Sequence, residues 1–338
     1  MPLTILYPDS RSDHLDIEQE VAGPDTVLIN PRQKSFDAIE LAAWERADAI
    51  VVSRVPIDRK AIAHLKRARV VVRNGVGFDV VDLEACGEAG IPVCNVPDYG
   101  TTEVADMAIA MMLTFARGTA ALDAALRADL KSGWTHVHNV TARRLRGERF
   151  GVIGLGRIGT AAALRARAFG MDVAFYDPLL PNGAELALGI TRASTLPDLL
   201  GRSDVVSIHT PLTGETRGMI NAAAVAAMKP GAYVINTSRG PVCDTAALLA
   251  GLKSGRLAAV GLDVLPSEPA SPADPLVAAW QANEPWIRGR VLLCPHAAFF
   301  SPDSFQDLRR KAIETAYYYL RDGRLANCVN AEFLKRRR

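Results

Sequence analysis

Arg149-Phe150-Gly151-Val152-Ile153-Gly154-Leu155-Gly156-Arg157-Ile158-Gly159 is the stretch that decides the fold. Its first five residues form an apolar run of strand type, and Ile158 to Phe169 reads as a helix. A strand that passes through three glycines into a helix is the pattern of a dinucleotide-binding turn. Gly154 permits the tight turn, Gly156 lets the backbone approach a pyrophosphate, and Gly159 lets the helix pack close to the strand. The helix start then offers unpaired N–H groups and a positive dipole end to phosphates. Gly154, Leu155, Gly156, Arg157, Ile158 and Gly159 are therefore the candidate phosphate cradle. The next strand, Asp172 to Tyr176, ends at Asp177, 18 residues after Gly159. An acid there accepts hydrogen bonds from ribose hydroxyls and repels a 2′-phosphate. Pro178, Leu179 and Leu180 follow with no basic residue, so the expected cofactor is NAD rather than NADP.

Outward from this stretch, short apolar runs alternate with amphipathic segments. Candidate strands are Thr4–Tyr7, Ala49–Val52, Val70–Arg73, Val205–His209, Tyr233–Asn236, Ala258–Leu262 and Val291–Cys294. Helical segments such as Thr245–Ser254 lie between them. Apolar strands separated by helices imply parallel pairing with both sheet faces covered, an α/β fold. The segment Thr101 to Lys131 is a long Ala- and Met-rich helical stretch, and Gly118 should break it into two helices. It is too apolar to lie free in solvent, so it is expected between domains or between subunits. Prolines at Val96-Pro97-Asp98 and Cys294-Pro295-His296 suggest crossover points. The expected division is one domain from residues 1–98 and 299–338, and a second from 99–298. Ala278 to Arg290, with Trp280 and Trp286, reads as a surface loop.

A chain of 338 residues, 49% of them hydrophobic, can bury two cores. Its 39 basic and 37 acidic residues balance, which argues against a nucleic-acid or anionic-membrane surface. Lys335 to Arg338 is the one local excess of charge and reads as a solvated tail. The opening residues read as a strand rather than a signal peptide, and no apolar run is long enough to span a membrane. Five scattered cysteines with no CxxC pair suggest reduced, mostly buried thiols, a cytoplasmic setting and no metal site. Cys294, in an apolar run, is expected in the core.

Three segments carry polar residues at strand ends. Val234 to Gly240 contains Arg239, whose guanidinium can hold a carboxylate bidentately. Gly261 to Pro269 contains Asp263 and Glu268. Leu293 to Phe299 contains His296, which follows a buried strand and a proline and suits acid–base chemistry better than core packing. Reduction of a 2-oxo acid needs a cation for the carboxylate, a proton donor for the carbonyl oxygen and an acceptor that steadies the protonated donor. Arg239, His296 and Glu268 supply these in that order. Each alone has an ordinary structural reading; downstream of a dinucleotide turn, the set points to catalysis.

At these residues the chain resembles the D-isomer-specific 2-hydroxyacid dehydrogenases. The resemblance runs through RNGVGFDVVDL (73–83), GLGRIG (154–159), HTPLTGETRGMIN (209–221), GLDVLPSEP (261–269) and CPHAAF (294–299). Within that family, ALRARAFGMDVAFYDP, PHAAFFS and ANCVN look closest to the C-terminal binding protein branch and its bacterial relatives. The resemblance implies two Rossmann-like or flavodoxin-like domains with parallel sheets, the substrate domain being discontinuous. It implies that Arg239, Glu268 and His296 are the catalytic set and that Asp263 meets the nicotinamide carboxamide. His209, Thr210, Pro211, Thr237 and Ser238 would line the cofactor. Val76 and Gly77 would receive the substrate carboxylate, with Arg73 close by. The helices near 101–131 would make a homodimer. Phe299 stands where the C-terminal binding proteins carry Trp, which leaves a smaller ring at the substrate. The expected activity is NAD-dependent oxidation and reduction of a small 2-hydroxy or 2-oxo acid, glyoxylate- or hydroxypyruvate-like or larger. The alternative is an NAD(H)-sensing protein-interaction module like the C-terminal binding proteins.

Overall fold

The computed structural model describes residues 2–334, so the reading of Lys335 to Arg338 as a solvated tail lies outside the described residues. The chain divides into two compact units, one up to Gly100 and from Phe300 onward, the other Thr101–Phe299.

The first unit holds β1 (Thr4–Leu6), β2 (Val27–Ile29), β3 (Ala49–Val52), β4 (Val70–Arg73) and β5 (Val93–Asn95). They form one parallel sheet in the order β2-β1-β3-β4-β5. Successive side chains of the central strands alternate between two cores, as the period of a strand requires. Leu6, Ile50, Val52 and Val71 join Trp44, Leu65 and Ile91 on one face. Ile5, Val51, Val70 and Val72 meet Leu308, Ala312, Ile313 and Ala316 on the other. These last four come from the helix Pro302–Asp322, so one face of a sheet made early in the chain is covered by its end. That helix starts where Ser301 and Ser304 cap each other, with Pro302 in its first turn, and stops at Gly323 at φ 69°. Arg309 anchors it to the segment near the N-terminus through the buried Glu18, at 2.6 Å, and Asp16.

The second unit holds β6 (Arg149–Ile153), β7 (Asp172–Tyr176), β8 (Thr191–Arg192), β9 (Val205–Ile208), β10 (Ala232–Asn236), β11 (Leu257–Leu262) and β12 (Val291–Leu293). Their order is β12-β11-β10-β9-β6-β7-β8, again all parallel. The chain runs outward one way from β6 through β7 and the other way through β9. The carboxyl ends of β6 and β9 therefore form a topological switch point, where a crevice opens.

The helical stretch after residue 100 breaks as expected, into Thr101–Arg117 and Thr119–Ala128, at Gly118 with φ 66°. Its burial differs from the expectation. The first helix is a core helix of its own unit, burying Ala105, Ala108, Met111, Met112 and Phe115. It can lie this close because β11 carries Gly261, whose absent Cβ would stand 3.0 Å from Met111 Sδ. The second helix has no buried residue. Among the described residues no single helix is long and apolar enough to cross a membrane. This pair passes by length and composition only together, bent by 56°.

The segment Ala278 to Arg290 is not a surface loop. It continues a helix, Pro275–Gln281, that Asp274 caps through Leu276 N and Val277 N. Leu276, Val277, Ala279 and Ile287 are buried in the core of the second unit. The Arg290 guanidinium donates to the carbonyls of Leu252, Leu257 and Ala258. Trp286 packs on that core and Trp280 is exposed, so the two tryptophans have different roles.

Candidate active site

The glycine turn after β6 has the geometry that its sequence demands. Gly154 takes φ 87°, which a side chain would strain, and its absent Cβ would lie 3.0 Å from the backbone of His209. Gly159 sits against the strand, for a Cβ there would stand 2.1 Å from Gly154 O. At Gly156, the residue before the helix Arg157–Ala168, a Cβ would meet nothing within 4 Å, so this backbone faces open space. A ligand phosphate can approach there and meet free N–H groups.

Asp177 closes one side of this cradle. One oxygen accepts from Leu155 N at 2.9 Å and the other from Leu179 N at 3.0 Å. A basic residue does reach this loop, which the sequence did not suggest. Arg192 of β8 stacks on Phe175 and donates to the carbonyls of Asp177, Leu180 and Pro181, while its Nε meets Glu185. Its donors hold the loop's backbone rather than facing a ribose.

The ends of β9 and β10 carry polar atoms that lack a partner. Thr210 Oγ1, Thr237 Oγ1 and His209 Nδ1 are out of water and make no hydrogen bond. Such atoms are costly unless a ligand satisfies them. With the open backbone at Gly156 and the carboxylate of Asp177, they fit a dinucleotide at the switch point. His209 Nε2 lies 2.8 Å from Ser207 Oγ, and burial lowers the ring to about 4, so it is neutral near pH 7. Pro211 and Ser238 flank these positions.

The second unit also brings the acid–base pair together. His296 Nδ1 lies 2.7 Å from Glu268 Oε2, although 28 residues separate them. The other Glu268 oxygen accepts from Leu265 N at 3.3 Å, which fixes the carboxylate. His296 itself sits at φ 54°, a conformation that costs a non-glycine residue free energy and persists only when the surroundings impose it. Asp263 imposes it. Its backbone carbonyl accepts from His296 N, and its two carboxylate oxygens accept from Ala297 N and Ala298 N, all within 3.0 Å. Burial pushes the Asp263 carboxyl up, while these two amides pull it back. Asp263 was expected at the nicotinamide; here its carboxylate holds the backbone of the His296 turn. The Phe299 ring stands edge-on to the imidazole at 6.5 Å between centres.

Arg239 leaves β10 in a turn built by Asn236, a buried residue that sequence reasoning passed over. Asn236 Oδ1 accepts from Ser238 N and Oγ, and its Nδ2 donates to Arg239 O. The signal was present as an Asn ending an otherwise apolar strand. Gly240 then lets this turn touch the next loop, since a Cβ would stand 1.9 Å from the Leu265 backbone. The Arg239 turn and the Glu268 loop are thus in direct backbone contact. Cys294 is half-buried rather than in the core, and burial raises its thiol. That disfavours the thiolate a nucleophile needs.

Arg73, Val76 and Gly77 belong to the first unit. Arg73 ends β4, and its guanidinium occupies the place where a Gly75 side chain would stand. The Val76 carbonyl accepts from Asn95 Nδ2 at 2.6 Å.

A family profile described as D-isomer specific 2-hydroxyacid dehydrogenase, NAD binding domain, matches residues 109–298. The chain is 34% identical over 322 residues to a glyoxylate reductase of Korarchaeum cryptofilum, covering 95% of this chain and 91% of that one. It is 32% identical over 346 residues to C-terminal-binding protein 1 of Caenorhabditis elegans. That match covers 99% of this chain but 46% of the relative, so the chain spans about half its length. The two identities are too alike to single out the C-terminal binding protein branch. A glyoxylate reductase structure from Paecilomyes thermophila superposes with a TM-score of 0.84 at 28% identity, covering 97% of this chain and 99% of that one. A D-lactate dehydrogenase from Aquifex aeolicus, complexed with NAD and lactic acid, gives 0.81 at 28% identity, covering 94% and 95%. With the switch-point crevice and the dinucleotide turn, these matches establish that the chain belongs to the D-isomer-specific 2-hydroxyacid dehydrogenases and is an NAD-dependent oxidoreductase acting on CH–OH groups.

Proposed function

We propose that this protein reduces a small 2-oxo acid to the D-2-hydroxy acid, and runs the reverse reaction, with His296 as acid and base. The observation that carries the reading is the 2.7 Å contact of His296 Nδ1 with Glu268, on a turn held in a strained conformation. In reduction, Nε2 of the protonated imidazole gives its proton to the carbonyl oxygen as that oxygen gains charge. Glu268 stabilises the imidazolium before transfer and orients the ring. Arg239 grips the substrate carboxylate and fixes C2. NADH, when bound, supplies the hydride that C2 takes up. Gly154 to Gly159, Asp177, His209, Thr210, Pro211, Thr237 and Ser238 are the residues assigned to hold it. Asp177 favours NAD over NADP, because an additional phosphate would face its carboxylate.

The proposal includes a cytoplasmic homodimer. Support for the location is that the five cysteines are scattered along the sequence with no CxxC pair. Support for the dimer is a row of apolar side chains after the helix Thr119–Ala128: Leu130, Trp134, Val137 and Val140 are each more than 60% exposed.

The test is NADH oxidation over a panel of glyoxylate, pyruvate, hydroxypyruvate, phenylpyruvate and branched 2-oxo acids, with wild type and His296→Ala. At least one acid should be turned over, and the variant should lose roughly two to four orders of magnitude in rate. A variant that keeps near-native turnover would assign the proton to another group. If NADH binds but no acid is reduced, the protein is instead an NAD(H)-sensing interaction module.

A further inference from the structure

We propose that Cys94 and Cys328 form a reversible disulfide within one chain, an oxidation site in the first unit remote in sequence from the residues assigned to catalysis. Cys94 lies on the edge strand β5, and Cys328 opposes it in an isolated antiparallel bridge. The flanking bonds are Val329 N to Val93 O at 2.8 Å and Asn95 N to Asn327 O at 3.2 Å. They bracket the two cysteines, which makes these a non-hydrogen-bonded pair. In such a pair the Cα atoms are about 4.5 Å apart and the side chains lie close on one face. A disulfide accepts Cα separations from about 4.4 Å upward. A pair of this kind falls within the range of separations that a disulfide spans. Both residues pack on the same core, Cys94 fully buried within it and Cys328 against it, so both side chains take the same side of the sheet.

The register is pinned. The buried Asn330 side chain accepts from Val93 N at 2.8 Å and donates to the carbonyls of Leu83 and Ile91. Cys328 Sγ donates to the same Asn330 at 3.4 Å. A one-residue slip, which would turn Cys328 to the opposite face, would break all of these. Cys328 is half-buried, so an oxidant meets it first. A cavity of about 260 Å³ is lined by Val96, two residues past Cys94, and by Ala326 and Asn327, just before Cys328, with Lys311, Arg324, Asp98 and Glu314 at its wall. Among the isolated bridges of the described residues, no other sets one cysteine opposite another.

With hydrogen peroxide as oxidant, the Cys328 sulfur attacks one oxygen, the O–O bond breaks, and a sulfenic acid and one water form. The Cys94 sulfur then displaces the second oxygen as water and the S–S bond forms. Two thiols lose two electrons and two protons, and peroxide becomes two waters. A dithiol reductant returns both thiols by exchange. The bond would tie the segment after Gly323 to β5, so the oxidised protein should be the more heat-stable form.

The experiment treats the intact protein with peroxide and digests it without reduction for mass spectrometry. The peptide containing Cys328 should appear joined to the one containing Cys94, two hydrogens lighter than their sum, and dithiothreitol should separate them. Cys86 lies on the same tryptic peptide as Cys94, so the digest is repeated on Cys86→Ser, where the linkage must persist. The melting temperature should rise by several degrees on oxidation in wild type and not in Cys328→Ser. Should Cys328→Ser fail to fold, Cys328→Ala serves instead, and the wild-type digest decides without it. Cys328 oxidised to sulfinic acid while Cys94 stays a thiol, a linkage between two chains, or no linkage under exhaustive oxidation overturns the proposal.

Discussion

His209 follows β9 directly, its Nδ1 out of water, and burial lowers its ring from an ordinary 6.5 to about 4. The unfolded chain takes up this proton near pH 6.5, whereas the folded one resists until near pH 4. The unfolded state thus binds more protons between these values, and stability falls as pH drops from about 6.5 toward 4. The loss from this one ring is on the order of 3 kcal/mol, at 1.36 kcal/mol per unit. His209→Gln should therefore lose less stability than wild type between pH 7 and pH 5, measured by urea denaturation of the cofactor-free protein. Equal losses would mean that the ring is solvated in the native state. At this scale the sequence was legible in residue types. The candidates Arg239, Glu268 and His296 stood out because charged and titratable groups soon after apolar strands have few structural reasons to be there, and the structure brings Glu268 and His296 together. The φ of His296 was not legible, because it depends on a carboxylate more than thirty positions earlier reaching the amides of Ala297 and Ala298. Nothing local to CPHAAF announces that contact.

Two glycines of one turn should respond differently to the same methyl group. At Gly159 it would clash with Gly154 O at 2.1 Å, so the helix must move off β6. Gly159→Ala should lower stability by about 1–3 kcal/mol, as overpacking does, and weaken NAD binding with it. At Gly156 the methyl group has open space in the protein alone. Gly156→Ala should leave the melting temperature near that of wild type yet weaken NAD at least tenfold, read by calorimetric titration. Loss of stability without loss of NAD at Gly156 would place the pyrophosphate elsewhere. The same contrast between central and marginal positions explains which elements could be read. β3, β4, β6 and β7 match the expected spans residue for residue, because central parallel strands are apolar on both faces. The strands that escaped notice, β2, β5 and β8, are two or three residues long and all lie at sheet edges. Two or three residues are too few to display an alternation, and β5 is fully buried besides, so it shows no polar face to read. The segment from Ala278 to Arg290 was misread for a similar reason. Its seven-residue helix is too short to display a period, and its burial rests on tertiary contacts by Ile287 and Arg290.

For the whole molecule, the exposed apolar side chains Leu130, Trp134, Val137 and Val140 are the feature on which the proposed dimer rests. Sedimentation equilibrium should report a dimer for wild type. The double variant Trp134→Glu, Val137→Glu should shift it toward monomer, with the second unit still folded by circular dichroism. A wild type that sediments as a monomer would remove the dimer from the proposed function. The first unit has a different consequence, for biosynthesis. Its sheet is complete by Asn95, yet the helix that covers Ile5, Val51, Val70 and Val72 begins only at Pro302. At about 5–20 residues per second, the ribosome needs on the order of 10–40 seconds to make the intervening chain. For that interval a greasy sheet face waits without its lid, while the second unit is synthesised and can fold ahead of it. A nascent chain at that stage exposes apolar surface of the kind that chaperones bind, and the arrival of the helix Pro302–Asp322 is what covers it.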